Sequence, residues 1–209
     1  MGHVFGAELC RVENREHLGK PALVAVAIRT YDTTVDDLWD AITTPERLAR
    51  WFLPVEGDLT LGGRYQLKGN AGGTITRCER PEALDLTWEF MGATSWVNLR
   101  LAPDGQKARL MLEHIAHKDG IGEEHLKQYG PGAVGIGWDL ALHGLTQHLA
   151  NPMGAIDPAA FEAWTLSSEG REFIRTCGEA WGAAHAASGE DPGEARAKAE
   201  RTIAFYTGA

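Results

Sequence analysis

His114 is the residue whose type and position best suit acid–base chemistry. In the segment Arg109 to His114, Leu110, Leu112 and His114 alternate with other residues, so a strand would carry all three on one inward face. A histidine in an apolar pocket could orient a polar ligand group or act as an acid or base. The alternative is a buried histidine that only satisfies its own hydrogen bonds.

The spacing of the histidines does not favour a metal site. His114 and His117 form an HxxH pattern, but a strand end does not place residues i and i+3 on one face. His143 and His148 are five residues apart on a predicted helix, which misses the i,i+4 spacing that lets two histidines converge on zinc. We therefore expect no metal and no cofactor.

The cysteines and glycine-rich segments also lack a strong chemical pattern. Cys10, Cys78 and Cys177 are far apart and never form a CxxC pair, which argues against a disulfide framework and favours a reducing cytoplasm. Residues 69–73 are glycine-rich but join two predicted strands, so a hairpin turn is expected rather than a phosphate loop. Residues 130–135 do open a helix, whose free N–H groups could meet an anion or a carbonyl.

Large aromatic residues are concentrated in the middle of the chain and could line an apolar ligand site. The alternative is that they simply form the core. Together with neighbouring inward positions, the candidate cavity-lining residues are Trp39, Trp51, Phe52, Tyr65, Trp88, Leu99, Leu112, His114, Val134, Trp138 and Leu142. The alternation around Trp96 does not decide which way that side chain faces.

The elements that must position these residues follow from periodicity. Leu23 to Tyr31 is a β-rich segment, and Thr34 and Thr44 stand where the N-caps of two short helices belong. From Gly57 the period changes to two, with short turns that imply an antiparallel meander. The predicted strands are 58–61, 63–68, 73–79, 84–90, 96–101 and 107–114.

A long helix is predicted from about residue 130 to 149. Its apolar stripe consists of Val134, Trp138, Ala141, Leu142, Leu145 and Leu149, as a helix packed on a sheet requires. Gly135, Gly137 and Gly144 weaken a helix, so we expect the helix backbone to lie close to the sheet or to a ligand there. Asp139 is expected to face solvent or the rim of the pocket.

The chain divides into three predicted parts. Residues 1–22 form an arm or an edge strand, residues 23–150 one domain, and residues 151–209 a helical extension with three helices. Asp157-Pro158 and Asp191-Pro192 are cap and first-turn pairs, and Ser168 is the expected cap of the helix between them. These helices could cover the pocket mouth, pack on the open side of the sheet, or mediate self-association as a homodimer.

Composition limits the classes of partner. The chain has 209 residues, 44% of them hydrophobic, and a formal net charge of −9. With no basic run, nucleic-acid binding and attraction to anionic membranes are not expected. No stretch has the roughly 20 apolar residues that span a bilayer, and the first residues do not read as a signal peptide.

Several segments resemble the landmarks of a known family. Residues 35–52 read VDDLWDAITTPERLARWF, residues 58–65 read DLTLGGRY, residues 84–88 read LDLTW and residues 109–114 read RLMLEH. In this order they resemble bacterial homologues of the activator of the heat-shock ATPase (AHSA-type), members of the START-like or SRPBCC superfamily. The resemblance covers about residues 23–150, and the extension is similar to one in actinobacterial members.

The resemblance implies an α+β, helix-grip (Bet v 1-like) fold, in which a curved antiparallel sheet wraps around a long helix with a hydrophobic pocket between them. The leading hypothesis is that this pocket binds a small hydrophobic or aromatic molecule. One alternative is an enzyme acting on a hydrophobic substrate in the same pocket. The other is a co-chaperone-like interaction module in the stress response, for which we expect an exposed apolar patch near Trp164, Phe173 and Trp181.

Overall fold

The computed structural model describes residues 9–119 and 122–208. Its eight strands form one antiparallel sheet in the order β1-β2-β8-β7-β6-β5-β4-β3. The strands are β1 Leu9–His17, β2 Lys20–Tyr31, β3 Val55–Gly57, β4 Arg64–Leu67, β5 Gly72–Glu79, β6 Ala83–Phe90, β7 Ala93–Asp104 and β8 Lys107–His117. The helices are α1 Val35–Thr43, α2 Pro45–Trp51, α3 Glu123–Tyr129, α4 Gly132–Ala150, α5 Pro158–Leu166, α6 Ser168–Ala187 and α7 Pro192–Thr207.

The first strand is the edge strand that the sequence offered as one alternative. β1 pairs along its whole length with β2, from Leu9 opposite Ile28 to His17 opposite Lys20. The predicted arm at residues 1–8 lies outside the described residues. The predicted strand at 58–61 is wrong, since Oδ1 of Asp58 accepts hydrogen bonds from the backbone N–H and the hydroxyl of Thr60. These side-chain hydrogen bonds form a turn in place of a strand. The strand that pairs with β4 is instead β3, at residues Val55–Gly57.

Strand β2 is buried on both faces. Its inner residues, such as Leu23 and Ala25, belong to the main core. Its outer residues, such as Val24 and Val26, form a second, smaller core against Ile115. Trp96 packs on this outer core, with its ring centroid 4.4 Å from that of His17 and 4.7 Å from that of His117. Trp96 therefore faces away from the concave side.

Helix α1 begins where the sequence predicts, because Thr34 accepts a hydrogen bond from the N–H of Asp37 at 3.2 Å. Thr44 precedes α2 but makes no side-chain cap hydrogen bond. In the extension, Asp157 and Asp191 cap α5 and α7. The cap of α6 is Ser167 rather than Ser168, which is the first residue of that helix.

Helix α4 is buried on two sides, which the single predicted stripe did not show. Asp139, expected near solvent, is 2% exposed, and its carboxylate accepts a hydrogen bond from Nε1–H of Trp181 at 2.8 Å. The glycines of α4 do admit close neighbours, and for Gly135 and Gly144 these neighbours lie on α6 and α2 rather than on the sheet. A Cβ on Gly135 would lie 2.2 Å from the Trp181 ring, and one on Gly144 would lie 2.8 Å from the carbonyl oxygen of Trp51.

The extension completes the main core. Phe173, Ile174, Cys177 and Trp181 of α6 are all buried in it, and α6 contacts both α4 and β1. The sequence left three placements open for the extension: over the pocket mouth, on the open side of the sheet, or in a homodimer contact. In the structure, α6 packs on the open side of the sheet, against β1. Of the three residues expected at an exposed apolar patch, Phe173 and Trp181 are buried and Trp164 is half-buried.

The architecture confirms the predicted fold class, a helix-grip α+β fold with a C-terminal helical part. The division at residues 22 and 150 stays a prediction. No helix among residues 9–119 and 122–208 is long and apolar enough to cross a membrane.

Candidate ligand-binding site

A cavity of about 310 Å³ lies between the concave face of the sheet and helices α1, α2 and α4. Its walls come from α1 and α2, from the chain around β3, from strands β4 to β8, and from the middle of α4. The lining residues are Trp39, Ile42, Thr43, Leu48, Trp51, Phe52, Val55, Leu59, Tyr65, Leu67, Ile75, Cys78, Leu84, Leu86, Trp88, Val97, Leu99, Leu110, Leu112, Trp138, Ala141, Leu142 and Leu145. Such a wall favours an apolar ligand.

The polar atoms of the wall are largely used within the protein. The hydroxyl of Tyr65 donates to the backbone carbonyl oxygen of Thr87 at 2.7 Å. The hydroxyl of Thr43 donates to the backbone carbonyl oxygen of Trp39, also at 2.7 Å. Nε1–H of Trp51 donates to the carbonyl oxygen of Ala41 at 2.9 Å. Burial, with the nearby charge of Glu89, raises the pKa of Tyr65. A ligand therefore meets mainly carbon surface.

The mouth of the cavity is marked by Cys78. Among the described lining residues, Cys78 is the one whose side chain is exposed. A register shift in the pairing of β5 with β6 lies between Ile75 and Arg77, just before this cysteine. Such an irregularity re-aims the residues that follow it, so the thiol reaches both the cavity and the solvent.

The two short helices over the cavity are fixed by Arg47. Its Nη1 donates to Oδ1 of Asp37 on α1 at 2.7 Å, and its Nε donates to Nε2 of His148 on α4 at 3.1 Å. Since guanidinium only donates, Nε2 of His148 must be an acceptor, and this histidine is neutral. Burial lowers its pKa, and the positive charges of Arg47 and Arg50 lower it further.

Nine of the eleven residues predicted from the sequence line this cavity, and His114 and Val134 do not. Both instead line a smaller cavity of about 200 Å³ nearer the N-terminus of α4. The alternation that turns Leu112 inward also turns Leu84, Leu86, Val97 and Leu110 inward, and Ala141 and Leu145 lie on the predicted stripe of α4. These six were not among the candidate lining residues. For Leu48, Val55 and Leu59 the sequence holds no such signal, because they lie on short or irregular segments.

His114 is a structural histidine with both ring nitrogens occupied. Its Nδ1 accepts from Nε1–H of Trp138 at 3.0 Å, so the proton of the neutral ring is on Nε2, which donates to Oγ of Ser95 at 2.9 Å. The Ser95 hydroxyl in turn donates to the carbonyl oxygen of Trp88 at 3.2 Å. Burial lowers the pKa of His114 to about 4. Because both ring nitrogens are hydrogen-bonded within the protein, neither is free to exchange a proton with a ligand.

The histidines and cysteines of the described residues do not converge. Within the described ranges, no three residues of the types His, Cys, Asp and Glu come together in a way that could hold an ion. Burial and the charge of Asp139 raise the pKa of Cys10 to about 11, and the same causes raise the pKa of Cys177. These two thiols are therefore poor nucleophiles and poor metal ligands.

Known structures resemble this chain over most of its length. The solution structure of CalU16 from Micromonospora echinospora is 33% identical, with a TM-score of 0.70, over 88% of this chain and 97% of that one. The crystal structure of the same protein gives 33% identity and a TM-score of 0.66, over 84% and 96% of the two chains. Residues 1–150 alone could not supply this coverage, so the likeness extends into the helical extension.

A more distant structure shares the fold alone. DynU16, a protein in the dynemicin biosynthetic locus, is 20% identical with a TM-score of 0.51, over 62% of this chain and 48% of that one. No curated protein matches the sequence.

The profile of one family matches the segment that builds most of the cavity. The family is described as activator of Hsp90 ATPase homolog 1-like protein, and the match covers residues 32–150. This range is more than half of the chain and holds α1, α2, β3 to β8 and α4. The protein therefore belongs to the activator of Hsp90 ATPase homolog 1-like (AHSA1) family, a START-like, SRPBCC-type family.

Proposed function

We propose that the protein binds a small hydrophobic or aromatic molecule in the cavity between the sheet and α4. The observation that carries the proposal is an apolar space of about 310 Å³ enclosed between the sheet and helices α1, α2 and α4. Ligand pockets typically begin at about this size. An apolar ligand that fills this space would move its apolar surface out of water, which favours binding.

The chemistry of the wall supports binding rather than a reaction. Its hydroxyl and indole donors at Thr43, Trp51 and Tyr65 already have partners. His114, the residue considered for proton transfer, is turned into a hydrogen-bond chain outside this cavity. The proposal also places the protein in the cytoplasm, which the three unpaired cysteines favour.

A cavity-filling substitution tests the proposal. Ala141 lines the cavity from α4, so Ala141→Phe is expected to weaken binding of the naphthalene fluorophore prodan at least about tenfold. The melting temperature should stay the same or rise, since the new ring occupies apolar space. Binding is measured by titration, following the blue shift of prodan emission that apolar surroundings cause.

Ala150→Phe is the matched control, because Ala150 is exposed at the end of the same helix. It should leave prodan binding at the wild-type level. Wild-type protein that does not bind prodan, or a folded Ala141→Phe variant that binds it as tightly as wild type, would contradict the proposal.

A further inference from the structure

The smaller cavity is separated from the main one by three aromatic side chains. Phe52, Trp88 and Trp138 line both spaces, and each is partly exposed although it lies in the interior. The ring centroids of Phe52 and Trp138 are 6.2 Å apart, and those of Trp88 and Trp138 are 5.3 Å apart. The three rings therefore form an aromatic partition with a space on each side.

The partition is held from the side of the smaller cavity. The indole N–H of Trp138 donates a hydrogen bond to Nδ1 of His114 on β8 at 3.0 Å, in addition to the ring contact with Trp88 on β6. The chain from His114 to Ser95 then ends on the backbone of Trp88. This hydrogen-bond chain therefore holds the ring of Trp138, one of the three side chains that line both spaces.

The helical extension builds part of the smaller cavity. Tyr206 of α7 lines it, and its hydroxyl donates to the carbonyl oxygen of Ala133 on α4 at 2.8 Å. Gly137 leaves room for this ring, because a Cβ there would lie 3.1 Å from the Tyr206 hydroxyl. The extension therefore contributes a side chain to this space as well as to the core.

The outer side of the smaller cavity carries a polar side chain. Asn70 lines it from the exposed turn between β4 and β5. Its Oδ1 accepts from the backbone N–H of Ala71 at 2.7 Å, and its amide NH₂ is a further hydrogen-bond donor on an exposed residue. Asn70 thus places one polar side chain at the rim of a mainly apolar space.

We propose that the two cavities are compartments of one binding site, and that its ligand is an elongated, mainly aromatic molecule. One end would occupy the main cavity, the aromatic middle would stack on the partition, and a polar end would reach the rim at Asn70. This inference rests on the proposed function and adds the shape and polarity of the ligand. It also gives the extension a part in recognition.

Two probes of different length test it. The short probe is prodan, and the long probe is 1,6-diphenyl-1,3,5-hexatriene, whose fluorescence rises in apolar surroundings. Val134 lines the smaller cavity and not the main one. Val134→Trp should therefore weaken binding of the long probe about tenfold or more and change the affinity for prodan by less than about twofold. Ala141→Phe should weaken both probes.

Asn70→Trp provides a second variant that should fold normally, because Asn70 is exposed, and it should also weaken only the long probe. If prodan binds while the long probe is equally tight in wild type, Val134→Trp and Asn70→Trp, the two-compartment site is wrong and the proposed function stands. The two-compartment site is also wrong if Val134→Trp and Asn70→Trp each weaken binding of prodan as much as binding of the long probe. If the wild-type protein binds neither prodan nor the long probe, both the proposed function and the two-compartment site are wrong.

Discussion

Gly135→Ala is expected to lower the free energy of unfolding by about 3 kcal/mol, a large effect for one methyl group. The new Cβ would lie 2.2 Å from Cε2 of Trp181, and this ring is 1% exposed and enclosed by the core. To move, the ring must give up its hydrogen bond to Asp139, which would leave a buried carboxylate with one partner fewer. Urea unfolding monitored by circular dichroism measures the change.

Gly137→Ala is the matched control for this prediction, since it makes the same change two residues later on the same helix. Its Cβ would meet only the hydroxyl of Tyr206 at 3.1 Å, on a half-buried side chain that can shift. The gain in helix propensity is about 1 kcal/mol, so stability should stay within about 1 kcal/mol of wild type. Equal destabilisation by the two substitutions would show that Trp181 does not set the spacing of α4 and α6.

The stability of the protein should fall as the pH drops from about 6.5 to about 4, in part through His114. The pKa of this residue is lowered from 6.5 to about 4 by burial. Above 6.5 both the folded and the unfolded chain hold it neutral. Below 6.5 the unfolded chain binds a proton that the folded chain refuses, so the free energy of unfolding decreases by about 1.4 kcal/mol per pH unit. The total loss from this group is about 3 kcal/mol by pH 4.

His114→Gln isolates this contribution, because glutamine does not titrate and can still accept from Trp138 and donate to Ser95. Other histidines with lowered pKa values, His17, His143, His148 and His185, titrate in both proteins and cancel in the difference. Urea unfolding at several pH values between 4 and 8 should therefore show a shallower slope for the variant. Parallel curves for the two proteins would mean that His114 binds its proton equally well in the folded and unfolded chains.

Much of the fold could be predicted because local signals are strong along the chain. The caps at Thr34, Asp157 and Asp191 fix helix starts, and strict alternation from Leu84 onward identifies the inward face of three strands. Segment 58–61 could not be predicted by alternation, since a side-chain turn at Asp58 outweighs its apolar pattern.

The site was harder to predict than the fold. Alternation correctly turns His114 inward, as it does Leu112, but it cannot show that the Trp138 ring lies between His114 and the main cavity. The second buried side of α4 did leave a signal, because Gly132, Gly135 and Asp139 recur at helical spacing. That row of small residues with one acid marks where α6 packs, and an apolar stripe alone does not reveal it.

The exposed thiol at the mouth of the cavity offers a way to follow occupancy directly. Cys78 is solvent-exposed, whereas Cys10 is half-buried and Cys177 is buried. Maleimide dyes react fastest with solvent-accessible thiols, so one fluorophore can be attached at Cys78 in preference to the less accessible Cys10 and Cys177. A polarity-sensitive dye there would lie beside the entering molecule. Its emission would then report arrival and departure in real time, and an unlabelled library of compounds could be screened for those that change the signal.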